Sequence, residues 1–247
     1  MQIEKATTLP TVSQMVRDDY RLADVFKKWG INYCCGGNLP LEEACAAKNI
    51  NLESLETELN EATKTISFPN ALQFNEWPVL FLLDYIVYVH HNYLKKAIPS
   101  LTQTLNSFVG GHFKKYPYLA AVEETFQNLA AVLLEHTEAE EESIFPYLKQ
   151  INNTYERKEA YGHLFVRTMR KPLVETISKE HNRVSSLLLS LRQQTNNYRF
   201  TDDACTNHRV IYHKLKAFDD DLTQHMHLEN NVLYPKVLAM EKTLLQV

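Results

Sequence analysis

LTQHMHLENNVLYP, residues 222–235, repeats the pattern of LLEHTEAEEESIFP, residues 133–146. Each stretch has a histidine, a glutamate four residues later and, six residues after the glutamate, a proline that follows an aromatic residue. On an α-helix, positions i and i+4 lie on one face. Each stretch therefore presents one imidazole and one carboxylate in the same direction, and two such pairs could build one dinuclear metal site.

The composition of the 247-residue chain favours long helices over many short strands. Hydrophobic residues make up 45% of the chain, enough for a core, and only 6 residues are glycine. The net charge of −4 is spread without a basic stripe, so we expect no nucleic-acid partner. The longest apolar stretch, residues 78–89, is interrupted by Asp84 and is too short to span a membrane. The sequence has no signal-peptide pattern, so a cytoplasmic location is expected.

Residues 1–66 are predicted to form a small helical domain whose chemical feature is the adjacent pair Cys34 and Cys35. The pair precedes Gly36 and Gly37 and a predicted helix, and cysteines before a helix N-terminus can act as thiolates. The alternative is that they fill a gap in the core, where cysteine is common. The glycines favour exposure but leave the two interpretations open. The four cysteines form no spaced disulfide framework or zinc knuckle, so thiols are expected in a reducing cytosol.

Residues 67–77 are predicted to be a linker, and residues 78–247 a four-helix bundle. Four long patterns carry apolar residues at alternating spacings of three and four, for example Val122, Phe126 and Leu129. Ionisable residues interrupt these stripes: His91, His136, Glu140, His181, His225 and Glu229. Burying such groups without partners costs several kcal/mol. A bundle without metal would leave them unexplained, whereas a shared metal site near the middle of the bundle accounts for all six.

Two histidines are placed less clearly by spacing. His90 adjoins His91, and periodicity separates the two poorly. His112 follows Gly110 and Gly111 and lies 21 residues after His91. A straight helix would put it about 30 Å from His91. His112 therefore reaches the site only if the glycines let the chain fold back, and spacing alone does not select it.

Nearby acidic residues are assigned to the surface. Glu138, Glu141 and Glu142 are predicted to form a solvated acidic face. Glu180 and Asp84 could orient metal ligands from behind, but surface pairing is the favoured role for Glu180.

These motifs resemble those of known families. His91, His181 and the two His-x-x-x-Glu pairs resemble a hemerythrin-type di-iron bundle, and Tyr33-Cys34-Cys35-Gly36-Gly37 resembles the N-terminal domain of the Repair of Iron Centres family. The resemblance covers nearly the whole chain, and the two motifs in this order are specific. It implies His112 as a further ligand and favours His91 over His90. Ser185 stands where oxygen-carrying hemerythrins have a second histidine, which argues against reversible oxygen carriage.

The resemblance implies a cytoplasmic di-iron protein that repairs iron–sulfur clusters damaged by nitrosative or oxidative stress. Two irons, bridged by Glu140, Glu229 and an oxo group, would be donated to clusters or would handle NO, although zinc or manganese could use the same ligands. Cys34 and Cys35 would accept iron, sulfur or NO, or change redox state. The implied partners are damaged iron–sulfur proteins and NO or O2, and the small first domain favours docking or homodimerisation. The alternatives are an enzyme, a di-iron NO reductase, and a binding protein that senses or stores O2 or NO.

Overall fold

The computed structural model describes residues 10–34, 37–64, 72–169 and 173–246, and the regular structure of these ranges is helical. Within them, the one β-type pairing is an isolated bridge between Thr11 and Pro40. This confirms the prediction of an all-α fold in which a small helical domain precedes a helical bundle.

Twelve α-helices occupy the described ranges. They are α1 (Val12–Asp18), α2 (Leu22–Lys28), α3 (Leu41–Ala46), α4 (Leu52–Thr63), α5 (Val79–Tyr85), α6 (Asn92–His112), α7 (Leu119–Ala139), α8 (Phe145–Glu156), α9 (Gly162–Met169), α10 (Leu173–Gln194), α11 (Thr206–Leu228) and α12 (Tyr234–Leu244). A 3₁₀ turn spans Phe74–Glu76, and π-helical turns span Ile86–His91, Glu140–Ile144 and Glu229–Leu233.

Contacts between residues divide the chain into two compact units. Of the described residues, the first comprises those up to residue 64 together with 198–214, and the second comprises those from 72 to 197 together with 215–246. This division differs from the predicted domains, because residues 198–214 group with the first unit and not with the bundle. The start of the predicted linker, residues 67–71, lies outside the described residues. In its remainder, Phe74 and Trp77 pack against the core of the second unit.

The first unit is a small helical domain with its own core. Thr11 caps α1, since its hydroxyl accepts from the backbone N–H of Gln14 and the Gln14 side chain accepts from the backbone N–H of Thr11. The main buried side chains of this core are Val12, Val16, Leu22, Phe26, Ile31, Leu41, Cys45, Leu55, Leu59 and Val210. Val210 belongs to α11, which explains why the start of that helix groups with this unit.

The turn that carries the cysteine motif requires a glycine. A Cβ atom built on Gly37 would lie 2.5 Å from the carbonyl oxygen of Tyr33, closer than two such atoms can approach. The backbone of Gly37 also accepts from the N–H of Ser13 at 2.8 Å, which ties the turn to α1. Close packing of the backbone, and not an unusual backbone angle, therefore selects glycine at this position.

The second unit is built from four long helical segments. Helix α5, a π turn and α6 form one continuous segment, and α7 with α8 and α11 with α12 are each joined by a π turn in the same way. The fourth segment is α10, which packs on α7. The predicted stripe on α7 is confirmed, because Val122, Phe126 and Leu129 are all fully buried. Among the described residues, no helix combines the length and the apolar character needed to cross a bilayer.

Candidate metal centre

Six ionisable side chains meet in the interior of the second unit. His91 ends the first π turn, Glu140 and Glu229 begin the other two, and His136, His181 and His225 lie on α7, α10 and α11. Each of the six is at most 4% exposed. They fall into two groups of four, His91 and His225 with both glutamates, and His136 and His181 with the same two glutamates. Within each group, one ligand-type atom of every residue lies within 4.8 Å of the others.

The first group brings two imidazoles together through their inward nitrogens. The Nε2 atoms of His91 and His225 are 3.3 Å apart. The Nε2 of His91 lies 3.4 Å from Oε2 of Glu140, and the Nε2 of His225 lies 2.8 Å from Oε1 of Glu229. Two nitrogen donors and two carboxylates thus converge on one point.

The second group repeats this arrangement around the same carboxylates. The Nε2 atoms of His136 and His181 are 3.2 Å apart. The Nε2 of His136 lies 3.3 Å from Oε2 of Glu140, and the Nε2 of His181 lies 3.3 Å from Oε2 of Glu229. Because each glutamate faces both histidine pairs, each is placed to bridge two metal ions.

The donors present fit a pair of metal ions. Oε2 of Glu140 and Oε2 of Glu229 are buried, and neither has a hydrogen-bond partner in the described ranges. Buried carboxylate oxygens normally have partners, and a buried anion needs a compensating charge. Cations between the imidazole pairs would satisfy both oxygens. Imidazole with carboxylate is a donor set that suits first-row metal ions.

Without a metal, protons would take the place of the cations. Burial lowers the pKa of His136, but the carboxylates of Glu140 and Glu229 and the hydrogen bond to Glu180 outweigh it and raise this pKa to about 10. Burial acts to raise the pKa of Glu229, yet His225 and the other imidazoles hold it well below its usual range. The centre therefore favours positive charge between its carboxylates.

Three of the four imidazoles are held from behind by an oxygen atom. The Nδ1–H of His91 donates to Glu141 at 2.8 Å, that of His136 to Glu180 at 2.7 Å, and that of His181 to Asn230 at 2.8 Å. Such bonds fix the tautomer and direct Nε2 towards the metal.

These contacts correct two assignments made from the sequence. Glu141 is not part of a solvated face, since it bonds His91 and also accepts from Lys95 at 2.8 Å. Glu180 holds His136 instead of forming only a surface pair. Glu141, Glu180 and Asn230 each adjoin a predicted ligand in sequence, and this adjacency is the signal that could have identified them.

A tyrosine holds one of the glutamates. The hydroxyl of Tyr234 donates to Oε1 of Glu140 at 2.5 Å, and both side chains are buried. Burial and the negative charge of Glu140 raise the pKa of Tyr234 well above its usual range, so the hydroxyl keeps its proton. Tyr234 leaves Oε2 of Glu140 as the oxygen that faces the imidazoles.

The repeated aromatic-proline pairs mark the ends of two π turns. The backbone N–H of Phe145 donates to the carbonyl of Glu140, and that of Tyr234 donates to the carbonyl of Glu229. The helices then continue as α8 and α12, with Pro146 and Pro235 in their first turns. Proline cannot complete an interior α-helical turn, and the wider π turn accommodates it without ending the helix.

His112 is not brought to the centre. Helix α6 continues through Gly110 and Gly111 and ends at His112, so the chain does not fold back at the glycines. The Nδ1–H of His112 donates to the carbonyl of Phe108 at 3.0 Å. An unbroken helical segment of 21 residues separates His112 from His91, which corresponds to about 30 Å.

The cysteine motif is described in part. Cys34 is partly buried, and its backbone N–H donates to the side chain of Asn32 at 2.9 Å. Cys35 and Gly36 lie outside the described residues. The role predicted for Cys34 and Cys35 stays a prediction.

Comparison with known proteins identifies both parts of the chain. Residues 9–63 match a domain of unknown function (DUF542), and residues 82–237, more than half of the chain, match the hemerythrin HHE cation binding domain. The iron–sulfur cluster repair protein ScdA of Staphylococcus epidermidis is 30% identical over 232 residues, which cover 92% of this chain and 96% of ScdA. The ScdA of Staphylococcus haemolyticus is 28% identical over 225 residues, which cover 91% and 96% of the two chains.

A related protein from another organism shows the same extent of similarity. The iron–sulfur cluster repair protein YtfE of Escherichia coli is 28% identical over 221 residues, which cover 90% of this chain and 93% of YtfE. The resemblance noted from the sequence is thereby confirmed. The chain belongs to the family of iron–sulfur cluster repair proteins in which a DUF542 domain precedes a hemerythrin HHE cation-binding domain.

Proposed function

We propose that this chain repairs damaged iron–sulfur clusters and that its bundle holds two irons bridged by Glu140 and Glu229. The observation that carries the proposal is the position of these carboxylates between two histidine pairs, where one buried oxygen of each faces the imidazoles and accepts no hydrogen bond within the described ranges. The names of the relatives supply the repair role.

Iron is the metal that this donor set and the repair role support together. Four imidazoles and two carboxylates provide nitrogen and oxygen donors, which suit iron in both its ferrous and ferric states. Two bound irons would supply electrons and binding positions for an oxo bridge, NO or O2. An oxo bridge, handling of NO and two irons per chain are parts of the proposal.

The protein side chains prepare the centre in three ways. Glu141, Glu180 and Asn230 hold three imidazoles so that each Nε2 points inward. Tyr234 donates to Glu140 and fixes the rotation of that carboxylate. The ring of Phe145 stacks on that of His91, and the burial of all six ligands keeps bulk water out and strengthens the charge interactions inside.

Cys34 and Cys35 would serve transfer in this proposal. A thiol that binds a ferrous ion gives up its proton to water, and the sulfur becomes a ligand of the transferred iron. Thiols persist in a reducing cytosol, which makes the cytoplasm the compartment that suits this role.

The test is iron transfer under anaerobic conditions. Iron-loaded protein is mixed with an iron–sulfur enzyme whose cluster has been damaged by NO, and recovery of enzyme activity is followed. We expect recovery with the wild-type protein and none with the Glu140→Leu, Glu229→Leu double variant. Equal recovery with both proteins would contradict the proposal. A parallel measurement of nitrous oxide distinguishes repair from turnover of NO, because sustained nitrous oxide production without recovery would identify a reductase instead.

A further inference from the structure

One of the four imidazoles in the centre lacks the support that the other three have. His91, His136 and His181 each donate from Nδ1 to a side-chain oxygen. The Nδ1 of His225 is buried and has no hydrogen-bond partner within the part of the chain that the structure describes. The Nε2 of His225 is bonded to Glu229, so on its Nδ1 side the ring must be held in place by something other than a hydrogen bond.

The neighbour of His225 on this side is His90. The two rings are parallel within 6°, with their centroids 5.6 Å apart, which is the geometry of an offset stack. His90 is itself anchored, because its Nδ1–H donates to Oδ1 of Asp221 at 3.0 Å. The ring of Tyr85 meets His90 edge-on, with centroids 5.5 Å apart, and limits its rotation from another side.

Filling of the core does not account for this pair. The Nε2 of His90 and Oδ2 of Asp221 are both buried without a hydrogen-bond partner among the described residues. Apolar side chains of similar volume at positions 90 and 221 would fill the space beside His225 without burying these two polar atoms. A histidine at position 90 therefore costs free energy of folding, and a role other than packing is needed to explain it.

We propose that His90, held by Asp221, is a positioning residue for His225. Its ring takes the place of the missing hydrogen bond and prevents His225 from rotating. The stack keeps the Nε2 of His225 directed at Glu229, at 2.8 Å, and at the Nε2 of His91, at 3.3 Å. The inference rests on the proposed two-iron centre and adds that one metal position depends on a stacked ring and not on a hydrogen bond.

Two substitutions at residue 90 distinguish the effect of its aromatic ring on metal binding from the effect of its side-chain volume. His90→Leu keeps much of the volume and removes the ring, whereas His90→Phe keeps a ring that can stack. Changes behind metal ligands weaken metal binding by roughly 10- to 100-fold, and we expect a loss of this size for His90→Leu in a competition with an iron chelator. His90→Phe is expected to recover most of the wild-type affinity.

Mössbauer spectroscopy of protein loaded with ⁵⁷Fe measures the quadrupole splitting of each iron, which a general loss of protein stability would not change at one iron alone. In His90→Leu we expect the quadrupole splitting of one iron to change while that of the other stays as in the wild type. Asp221→Leu, at a partly exposed position, keeps the ring of His90 and removes its anchor, and should change the same iron to a smaller extent. This variant carries the test if His90→Leu does not fold. His227→Leu is the matched control, because His227 is exposed on the same helix.

Wild-type affinity and spectrum in His90→Leu or in folded Asp221→Leu would overturn the positioning role. It would also be overturned if His90→Phe lost as much affinity as His90→Leu, since the ring would then not matter. A wild-type protein without iron would instead contradict the proposed function, so the two failures are distinguishable.

Discussion

Glu140 and Glu229 occupy the same position in two copies of one local structure. Each follows a buried histidine by four residues, begins a π turn and accepts at its carbonyl from the backbone N–H of the aromatic residue that follows the turn. The two copies face each other across the bundle, so each carboxylate meets both histidine pairs. The repeat found in the sequence therefore corresponds to a repeat in the structure, and it builds the bridging half of the centre.

Loss of the acceptor behind His136 should weaken iron binding. Glu180→Leu leaves Nδ1 of His136 without its 2.7 Å partner, and the imidazole becomes a less basic and less well oriented ligand. We expect the iron affinity to fall roughly 10- to 100-fold. Titration of the metal-free protein with ferrous iron against a chelator measures this change. Glu138→Leu, at an exposed position on α7, should bind iron as the wild type does.

His112 should be dispensable for metal binding. It lies at the end of α6 and bonds the backbone of Phe108, so His112→Ala is expected to keep the full iron content. His181→Ala removes a buried donor of the second group and should lose at least the iron held there. Iron determination on the two purified variants decides the matter. Equal loss in both would show that the ligand set taken from the structure is incomplete.

Iron loading should release protons near neutral pH. In the metal-free protein, the carboxylates around His136 overcome its burial and raise its pKa to about 10, so its imidazole carries a proton that a metal ion must displace. The same pKa shift sets how the stability of the metal-free protein depends on pH. This group stabilises the metal-free protein fully below its unfolded pKa of about 6.5, and the contribution is lost as the pH rises through about 10.

Calorimetry in buffers of different ionisation enthalpy measures the released protons directly. We expect release of about one proton per centre from His136 at pH 7, and less release as the pH approaches 10. Loading that is independent of the buffer would show that His136 is already neutral in the metal-free protein.

The two kinds of glycine in the chain should respond oppositely to alanine. Gly37→Ala places a Cβ against the backbone of Tyr33, and crowding of this kind costs about 1–3 kcal/mol. Gly110→Ala meets no atom within 4 Å and lies inside α6, where alanine is favoured by about 0.5–1 kcal/mol. Chemical unfolding of the two variants measures both effects. Destabilisation by Gly110→Ala would contradict the helical position of that residue.

The sequence is most informative where function imposes a pattern. Ionisable residues in apolar stripes are rare because their burial is costly, so His136, Glu140, His225 and Glu229 stand out at helical spacing. The structure places all four in one cluster, together with His91 and His181. The all-α bundle follows from the same periodicity.

The parts that spacing could not predict depend on details of local geometry. His90 and His91 are adjacent in sequence and lie at the end of one π turn. This turn directs His91 to Glu140 and His90 to Asp221. A regular helical pattern does not encode such a turn. In the sequence, Asn230 and Glu141 resemble ordinary surface residues. Only the structure shows that Asn230 bonds the ring of His181 and that Glu141 bonds the ring of His91.

Long-range packing explains the remaining differences. The start of α11 has the same helical pattern as its end, yet Val210 joins the core of the first unit. Gly110 and Gly111 suggested a break, but helix α6 tolerates both. The resemblance to a family implied that His112 is a metal ligand, but the unbroken helix α6 places it away from the centre.

The most direct test of the central claim is the iron content and spectrum of anaerobically purified protein, compared with its Glu140→Leu, Glu229→Leu double variant. We predict about two irons per chain in the wild type, near-UV bands of an oxo-bridged ferric pair after oxidation, and loss of both irons in the variant. The variant should still fold, because the buried imidazoles become neutral by losing their protons once both carboxylates are gone, and circular dichroism checks this. A folded double variant that retains both irons would contradict the bridging role of Glu140 and Glu229.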